Sequence, residues 1–174
     1  MRHILLVLLL IFSSNISAKS SRGIRNCNPG NLRSDSWRSW NGATGTDEEG
    51  YIIFRRKIDG LRAIVINLRA YRQKHGLVSV AGIINRWTRD LPPLSRREYI
   101  KFVCYRMGVS PWQKLDMEDP VVIKGLTRSI IAFENGSDPY SEKIYQTIFP
   151  TIILGPVPSP TPAIVIIPGF LVNK

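Results

Sequence analysis

The sequence is poor in the side chains that bind metals or work as nucleophile–base pairs. It contains only two cysteines, Cys27 and Cys104, and two histidines, His3 and His75. So few sulfur and imidazole ligands nearly exclude a zinc site and a Ser-His-Asp triad, and we expect neither a metal nor a cofactor. The two cysteines either close one disulfide across a long loop or remain two buried free thiols.

Acidic residues are also scarce. The chain carries 24 lysines and arginines against 13 aspartates and glutamates, which gives a formal net charge of +11. Such a protein is attracted to anionic surfaces, whether nucleic acid, phospholipid or cell-wall polymer. The basic residues are spread along the chain instead of forming one arm, and export is expected from the start of the chain. We therefore expect a cell-wall or membrane-surface partner and no nucleic acid.

No apolar run is long enough to span a bilayer comfortably. Residues 1–18 are typical of a cleavable signal peptide, because Arg2 and His3 precede an apolar run and small residues follow it. We expect export to the periplasm or the cell exterior. Residues 149–174 are interpreted as a proline-rich linker and an apolar tail, which can lie against the domain, a partner or a membrane surface. Residues 19–148 form the expected folded domain.

Hydrophobic periodicity predicts a mainly α domain with a small β element and a bundle-like core. Helices are predicted from Ile58 to Lys74, from a cap at Ser79 to Trp87, from a capping box at Ser95–Glu98 to Gly108, and from Asp119-Pro120 to Asn135. The run from Tyr51 to Phe54 favours a small strand pair or a flap. A turn-rich link, from Asn41 to Gly45, precedes it.

A polar stretch from Arg22 to Leu32 contains no apolar run long enough for a helix or a strand. Gly23 and Gly30 permit positive φ, and its asparagines can bond their own backbone. Such a stretch gains little from burial, so we expect it to hold polar groups in fixed positions. The alternative is an ordinary polar loop.

Glu134 continues the apolar stripe of the last predicted helix. Val122 or Ile123, Leu126 and Ile130 mark this stripe, and Glu134 follows four positions after Ile130. Burial and the helix C-terminus both disfavour a charged carboxylate, so the pKa of Glu134 should rise. A proton donor near neutral pH is what glycosidic bond cleavage needs. The alternative is a glutamate that bends out to solvent.

Several separated motifs, in this order, resemble a family of phage and bacterial proteins called structural protein P5 or virion-associated lysozymes. The motifs are Arg22 to Arg33, Trp37 or Trp40, Gly45 to Tyr51 with Phe54, Ser79 to Trp87, Gly108-Val109, and Glu134-Asn-Gly-x-x-Pro-Tyr140. The resemblance runs from about Arg22 to Tyr145. It implies a peptidoglycan-degrading enzyme with a lysozyme-like or lytic-transglycosylase-like helical fold, and it also implies association with the virion. The glutamate motif comes last here and first in lytic transglycosylases, so the resemblance implies a permuted arrangement.

By this resemblance Glu134 protonates the glycosidic oxygen between N-acetylmuramic acid and N-acetylglucosamine. A lytic transglycosylase then uses the same carboxylate as the base, whereas a hydrolase needs a second carboxylate. Asp47 and Glu48 are the candidates for that second group. The alternative for both is a solvated acidic loop.

Substrate binding is assigned to three asparagines and four aromatic residues. Asn26, Asn28 and Asn31 would bond N-acetyl groups or shape the cleft floor, and Trp37, Trp40 and Tyr51 would stack on sugars. Tyr140, which ends the glutamate motif, is assigned to substrate binding as well. Aromatic residues at such spacing are more often part of a core, and Trp87 is assigned to the core.

Three interpretations of function remain open from the sequence. The first is a monomeric glycan-cleaving enzyme whose partner is peptidoglycan. The second is an endopeptidase that cuts the wall peptides. The third is a non-catalytic wall-binding or virion structural protein.

Overall fold

A computed structural model describes residues 20–33, 39–89 and 91–154, with side chains as far as residue 149. This part of the chain contains six helices and one two-stranded sheet, so the predicted mainly α fold with a small β element is confirmed. The elements are α1 (Arg22–Arg25), β1 (Ala43–Thr46), β2 (Ile52–Phe54), α2 (Lys57–His75), α3 (Val80–Trp87), α4 (Pro93–Met107), α5 (Pro120–Asn135) and α6 (Glu142–Leu154). The predicted signal peptide and the tail from residue 155 lie outside the described residues.

Most helix ends follow the expected local chemistry. Gly76, Gly108 and Gly136 end α2, α4 and α5 with φ angles of 62°, 65° and 76°, in the left-handed region where glycine carries no Cβ penalty. The Ser79 hydroxyl accepts a hydrogen bond of 3.2 Å from a backbone N–H at the start of α3. The Asp119 carboxylate accepts one of 2.8 Å at the start of α5. These caps confirm the predicted ends.

The predicted start of α4 is wrong. Instead of a capping box at Ser95, the helix begins at Pro93 with Pro92 as its N-cap, and no side chain caps it. Proline suits the first helical position because its φ is already helical and its missing N–H is not needed there. Ser95 therefore lies inside the first turn.

The sequence places a proline-rich linker from Phe149, but α6 continues to Leu154. Tyr145, Ile148 and Phe149 are buried in the main core, and this apolar face extends the helix past the expected domain end. Arg128 on α5 bonds Asp138 at 2.8 Å and Glu142 at 2.9 Å, which ties the start of α6 to α5.

The two strands pair antiparallel, with an irregularity between Ala43 and Gly45. The segment predicted as a turn-rich link thus contains β1. An isolated bridge between Arg33 and Tyr51 joins the polar stretch to the start of β2. The sheet consequently holds the polar stretch from one side.

The main core lies among helices α2 to α6, and its largest fully buried side chains include Leu61, Ile64, Leu68, Ile83, Ile84, Tyr99, Leu126, Ile130 and Tyr145. Ile123, not Val122, completes the buried stripe of α5. A smaller cluster under the sheet contains Ile52, Phe54 and Ala63. These two clusters fix the elements that carry the site.

Cys27 and Cys104 are both free in the structure, Cys104 buried and Cys27 only partly buried. Of the two alternatives for the cysteines, the structure has free thiols. Among the helices described, none combines the length and apolar character needed to cross a membrane.

Candidate functional site

The carboxyl group of Glu134 lies where three parts of the chain meet. Asn31 of the polar stretch donates to Oε2 (2.9 Å), whereas Trp87 of α3 (3.3 Å) and Tyr99 of α4 (3.0 Å) both donate to Oε1. Glu134 itself is in the last turn of α5. The alternative of a glutamate bent out to solvent is therefore not what the structure has.

Two opposing effects set the pKa of Glu134. Burial is the larger and raises the pKa, whereas the hydrogen bonds from Asn31, Tyr99 and Trp87 stabilise the charged form and lower it. The net pKa is raised, which is the direction expected from the apolar stripe. A carboxyl group with a raised pKa keeps its proton to a higher pH than an ordinary glutamate does.

The polar stretch is built by backbone and amide hydrogen bonds. It contains the one-turn helix α1, so the expectation of no helix here is wrong: backbone bonds such as Asn26 N–H to Arg22 C=O (2.9 Å) form it without an apolar run. Asn28 is fully buried and donates to the carbonyls of Leu32 (2.8 Å) and Ile52 (2.9 Å). Its side-chain oxygen accepts from the Leu32 N–H (2.9 Å). Asn28 thus holds the loop together.

Positive φ occurs at Cys27 (51°) and Asn31 (48°), not at the two glycines of the stretch. The glycines serve close packing instead. A Cβ on Gly23 would lie 2.9 Å from the Asn28 carbonyl oxygen, and one on Gly30 would lie 2.8 Å from the Ile64 side chain. The left-handed backbone at Asn31, which asparagine tolerates, belongs to the residue that bonds Glu134.

Asn135 fastens the polar stretch to the end of α5. Its amide donates to the Pro29 carbonyl (2.7 Å) and to the Ile131 carbonyl (2.9 Å), and its oxygen accepts from the Ser21 hydroxyl (2.6 Å). Because Asn135 follows Glu134 directly, these bonds fix the carboxyl-bearing turn against the loop.

A cleft opens beside this carboxyl group. Its lining includes Asn31 and Trp87, which both bond Glu134, and three arginines, Arg33, Arg86 and Arg89. Asn67 and Tyr71 of α2 complete much of the wall. The cleft is therefore lined by two residues that bond Glu134 and by several cationic donors.

The two predicted second carboxylates lie in the turn between β1 and β2. Asp47 accepts from the N–H groups of Glu49 (3.0 Å) and Tyr51 (2.9 Å) and from the Asn26 amide (2.7 Å). Partial burial alone would raise the pKa of Asp47, but these bonds and the nearby Arg22 lower it overall. Asp47 organises the turn and engages Asn26, whereas Glu48 is exposed.

The predicted sugar-stacking residues are in different surroundings. The guanidinium groups of Arg22 and Arg33 each lie 4.5 Å from the Tyr51 ring centre. Trp40 is partly buried and packs against the smaller core cluster. Tyr140 is buried in the main core, which leaves little of its ring for a ligand. Trp37 lies outside the described residues.

Comparison with known proteins relates the chain to a phage protein. No protein-family model matches the chain. Protein P5 of Pseudoalteromonas phage PM2 is 37% identical over 127 residues, which cover 71% of this chain and 76% of the relative. The chain belongs to the phage protein P5 family.

In this P5-family chain, the sequence alone missed two partners of Glu134. The sequence assigns Trp87 to the core and gives Tyr99, in the predicted third helix, no functional role; both do pack in the main core. Each, however, carries one polar atom at the end of an apolar body, and that atom reaches Glu134. A tryptophan and a tyrosine on buried stripes are the only sequence signal of this arrangement.

The sequence also gives the arginines of the cleft no site role. The basic residues are spread along the chain, and nothing in this pattern distinguishes Arg86 and Arg89 from the others. Within residues 20–33, 39–89 and 91–154, no group of three or more His, Cys, Asp or Glu side chains is placed to hold a metal ion.

Proposed function

We propose that this chain cleaves the glycan strand of peptidoglycan between N-acetylmuramic acid and N-acetylglucosamine, with Glu134 as the general acid. The observation that carries the proposal is a partly buried carboxyl group with a raised pKa, held by three donors beside an open cleft. The net charge of +11 favours a polyanionic substrate such as the cell wall.

The hydrogen bonds indicate where the proton would be. Within the described residues, Oε1 accepts from both Trp87 and Tyr99, and Oε2 accepts from Asn31 alone. Oε2 therefore accepts fewer hydrogen bonds than Oε1 and has room for a proton, beside Asn31 in the lining of the cleft. From there the proton would pass to the glycosidic oxygen as the bond to C1 of muramic acid breaks.

The arrangement favours a lytic transglycosylase over a hydrolase. No hydrogen-bond partner of Glu134 in the described part of the chain is a carboxylate, and the carboxylate of Asp47 is engaged in its turn. In the second step the Glu134 carboxylate would take the proton of the muramic acid 6-hydroxyl. The 6-oxygen then attacks C1 and closes an anhydro ring, which regenerates the acid without water.

We further propose a monomer associated with the virion, since the relative is a protein of a phage. Export through a signal peptide stays a prediction. So does contact of the tail with a membrane surface.

The test is release of soluble fragments from labelled, purified peptidoglycan. Wild type should release label, and Glu134→Gln should lose at least about 100-fold of that activity, in the range that general acid catalysis contributes. Glu98→Gln, which removes a carboxylate from the exposed face of α4, is the matched control and should stay active.

The rival functions give different results in the same assay. An endopeptidase would release new amino groups without new sugar ends. A wall-binding structural protein would sediment with the peptidoglycan and release nothing, with Glu134→Gln behaving as wild type. Either result would contradict the proposal.

A further inference from the structure

The cleft beside Glu134 holds an unusual concentration of positive charge. Arg33, Arg86 and Arg89 all line it. Arg33 is partly engaged, since its Nε donates to the Glu49 carbonyl (3.1 Å) and its guanidinium lies against Tyr51. The other two arginines of the cleft are Arg86 and Arg89.

Arg86 packs against an aromatic ring and has no charge partner within the described residues. Its guanidinium carbon lies 5.2 Å from the centre of the Tyr71 ring. Its Nε is buried and has no hydrogen-bond partner among the described residues. Burial and the nearby charge of Arg89 both lower the pKa of Arg86, which indicates that the two cations crowd each other.

Other arginines of the chain contrast with this pair. Arg56 and Arg62 both bond Asp59, Arg72 pairs with Glu118, and Arg128 pairs with Asp138. In residues 20–33, 39–89 and 91–154, neither Arg86 nor Arg89 has an ion pair. Asp90, which adjoins Arg89 in sequence, lies outside these ranges.

Two guanidinium groups that line one cleft, with no ion pair to a carboxylate among the described residues, suit an anionic ligand. A planar guanidinium can bind a carboxylate through two parallel hydrogen bonds, and a second cation strengthens that attraction. The position matters as well, because Trp87 contacts Glu134 and follows Arg86 directly in α3.

We propose that Arg86 and Arg89 form a carboxylate-binding subsite of this cleft, which holds an anionic group of the muramic acid unit. The inference rests on the proposed function, since it places a wall glycan in the cleft. The carboxylate has two possible sources: the lactyl group of a peptide-free muramic acid, or the peptide attached to it.

Binding to defined fragments tests the subsite. The full-length Glu134→Gln protein is titrated calorimetrically with three probes: a peptide-bearing disaccharide, the same disaccharide after amidase removes the peptide, and a neutral chitin oligosaccharide. We expect at least one anionic probe to bind more tightly than chitin. The anionic probe that binds more tightly identifies the source of the carboxylate.

Arg86→Gln with Arg89→Gln, added to the same protein, should weaken binding of that anionic probe about tenfold or more and leave chitin binding unchanged. Arg97→Gln with Arg106→Gln, which removes the same charge from the surface of α4, is the matched control. Equal loss with both pairs, unchanged binding, or no preference for an anionic probe would each overturn the subsite.

The two proposals fail separately. Loss of the carboxylate preference in a protein whose wild type cleaves peptidoglycan would reject the subsite alone. Selective binding in a protein that releases no fragments would keep the subsite and reject the enzymatic function.

Discussion

Glu134 is a partly buried carboxyl group, and within the described residues none of its hydrogen-bond partners is positively charged. Asn31, Trp87 and Tyr99 are all neutral donors, so they stabilise its carboxylate only in part. Burial dominates, and the pKa is raised. A salt bridge at this position would lower the pKa and keep the proton away, which would suit stability and not acid catalysis.

The raised pKa predicts how stability depends on pH. Between the ordinary glutamate pKa and the raised folded one, the folded protein binds the proton more tightly than the unfolded chain, so this group's contribution to stability falls as pH rises through that window. Glu134→Gln carries no such charge. Its unfolding midpoint in urea should match that of wild type below the ordinary glutamate pKa, exceed it increasingly across the window, and exceed it by a constant amount above the raised pKa. A difference that does not change with pH would contradict the assigned pKa.

Gly23 is predicted to be essential to the loop that presents Asn31. An added Cβ would meet the Asn135 side-chain oxygen at 2.5 Å and the Asn28 carbonyl oxygen at 2.9 Å. Gly23→Ala should therefore destabilise the protein by about 2 kcal/mol, as overpacking does.

Gly45→Ala is the matched control, because open space surrounds that position in β1. Thermal or urea unfolding of the two variants measures the difference. Equal stability of both would show that the polar stretch relaxes freely around Gly23.

At the scale of residues, the sequence predicted the raised pKa of Glu134 and missed most of its surroundings. Glu134 could be found because it continues an apolar stripe at helical spacing. Its partners come from 103, 47 and 35 positions away in the chain. No local pattern encodes such distances, and for Trp87 and Tyr99 the local pattern favours the core.

At the scale of elements, the spacing of apolar residues and the helix caps predicted most of the helix ends. Gly76, Gly108 and Gly136 all lie at helix ends in the left-handed conformation. The errors have physical causes. The first turn of α4 depends on proline geometry, and α1 is one turn of polar backbone with no apolar period.

Helix α6 was missed because Pro150 and the prolines after it favour a linker. The residues before Pro150 nevertheless form a helix, because their apolar side chains are buried in the core. Phe149 is 6% exposed and contacts Tyr145, with ring centres 6.2 Å apart.

Phe149→Ala should therefore cost about 3 kcal/mol, as expected for an aromatic residue removed from a core. Gln146→Ala on the exposed face of the same helix should cost little. Urea unfolding of both variants compares the two losses. A neutral Phe149→Ala would restore the interpretation of this segment as a linker.

At the scale of the whole molecule, the helical core and the small sheet bring four distant segments together around one carboxyl group. The polar stretch, α3, α4 and the end of α5 each supply one of Asn31, Trp87, Tyr99 and Glu134. Unpaired positive charge lies beside the same group, since the arginines of the cleft have no carboxylate partner in the described part of the chain. The fold class follows from the sequence, whereas this convergence is visible only in three dimensions.

The most direct test of the central claim is mass spectrometry of the soluble products from purified peptidoglycan, with wild type beside Glu134→Gln. The account predicts muropeptides with anhydro-muramic acid ends from wild type and none from the variant. Hydrated reducing ends would contradict the single-carboxylate mechanism and direct attention to Asp47 and Glu48. Equal products from both proteins would contradict the role of Glu134, and no products from wild type would contradict the enzymatic function.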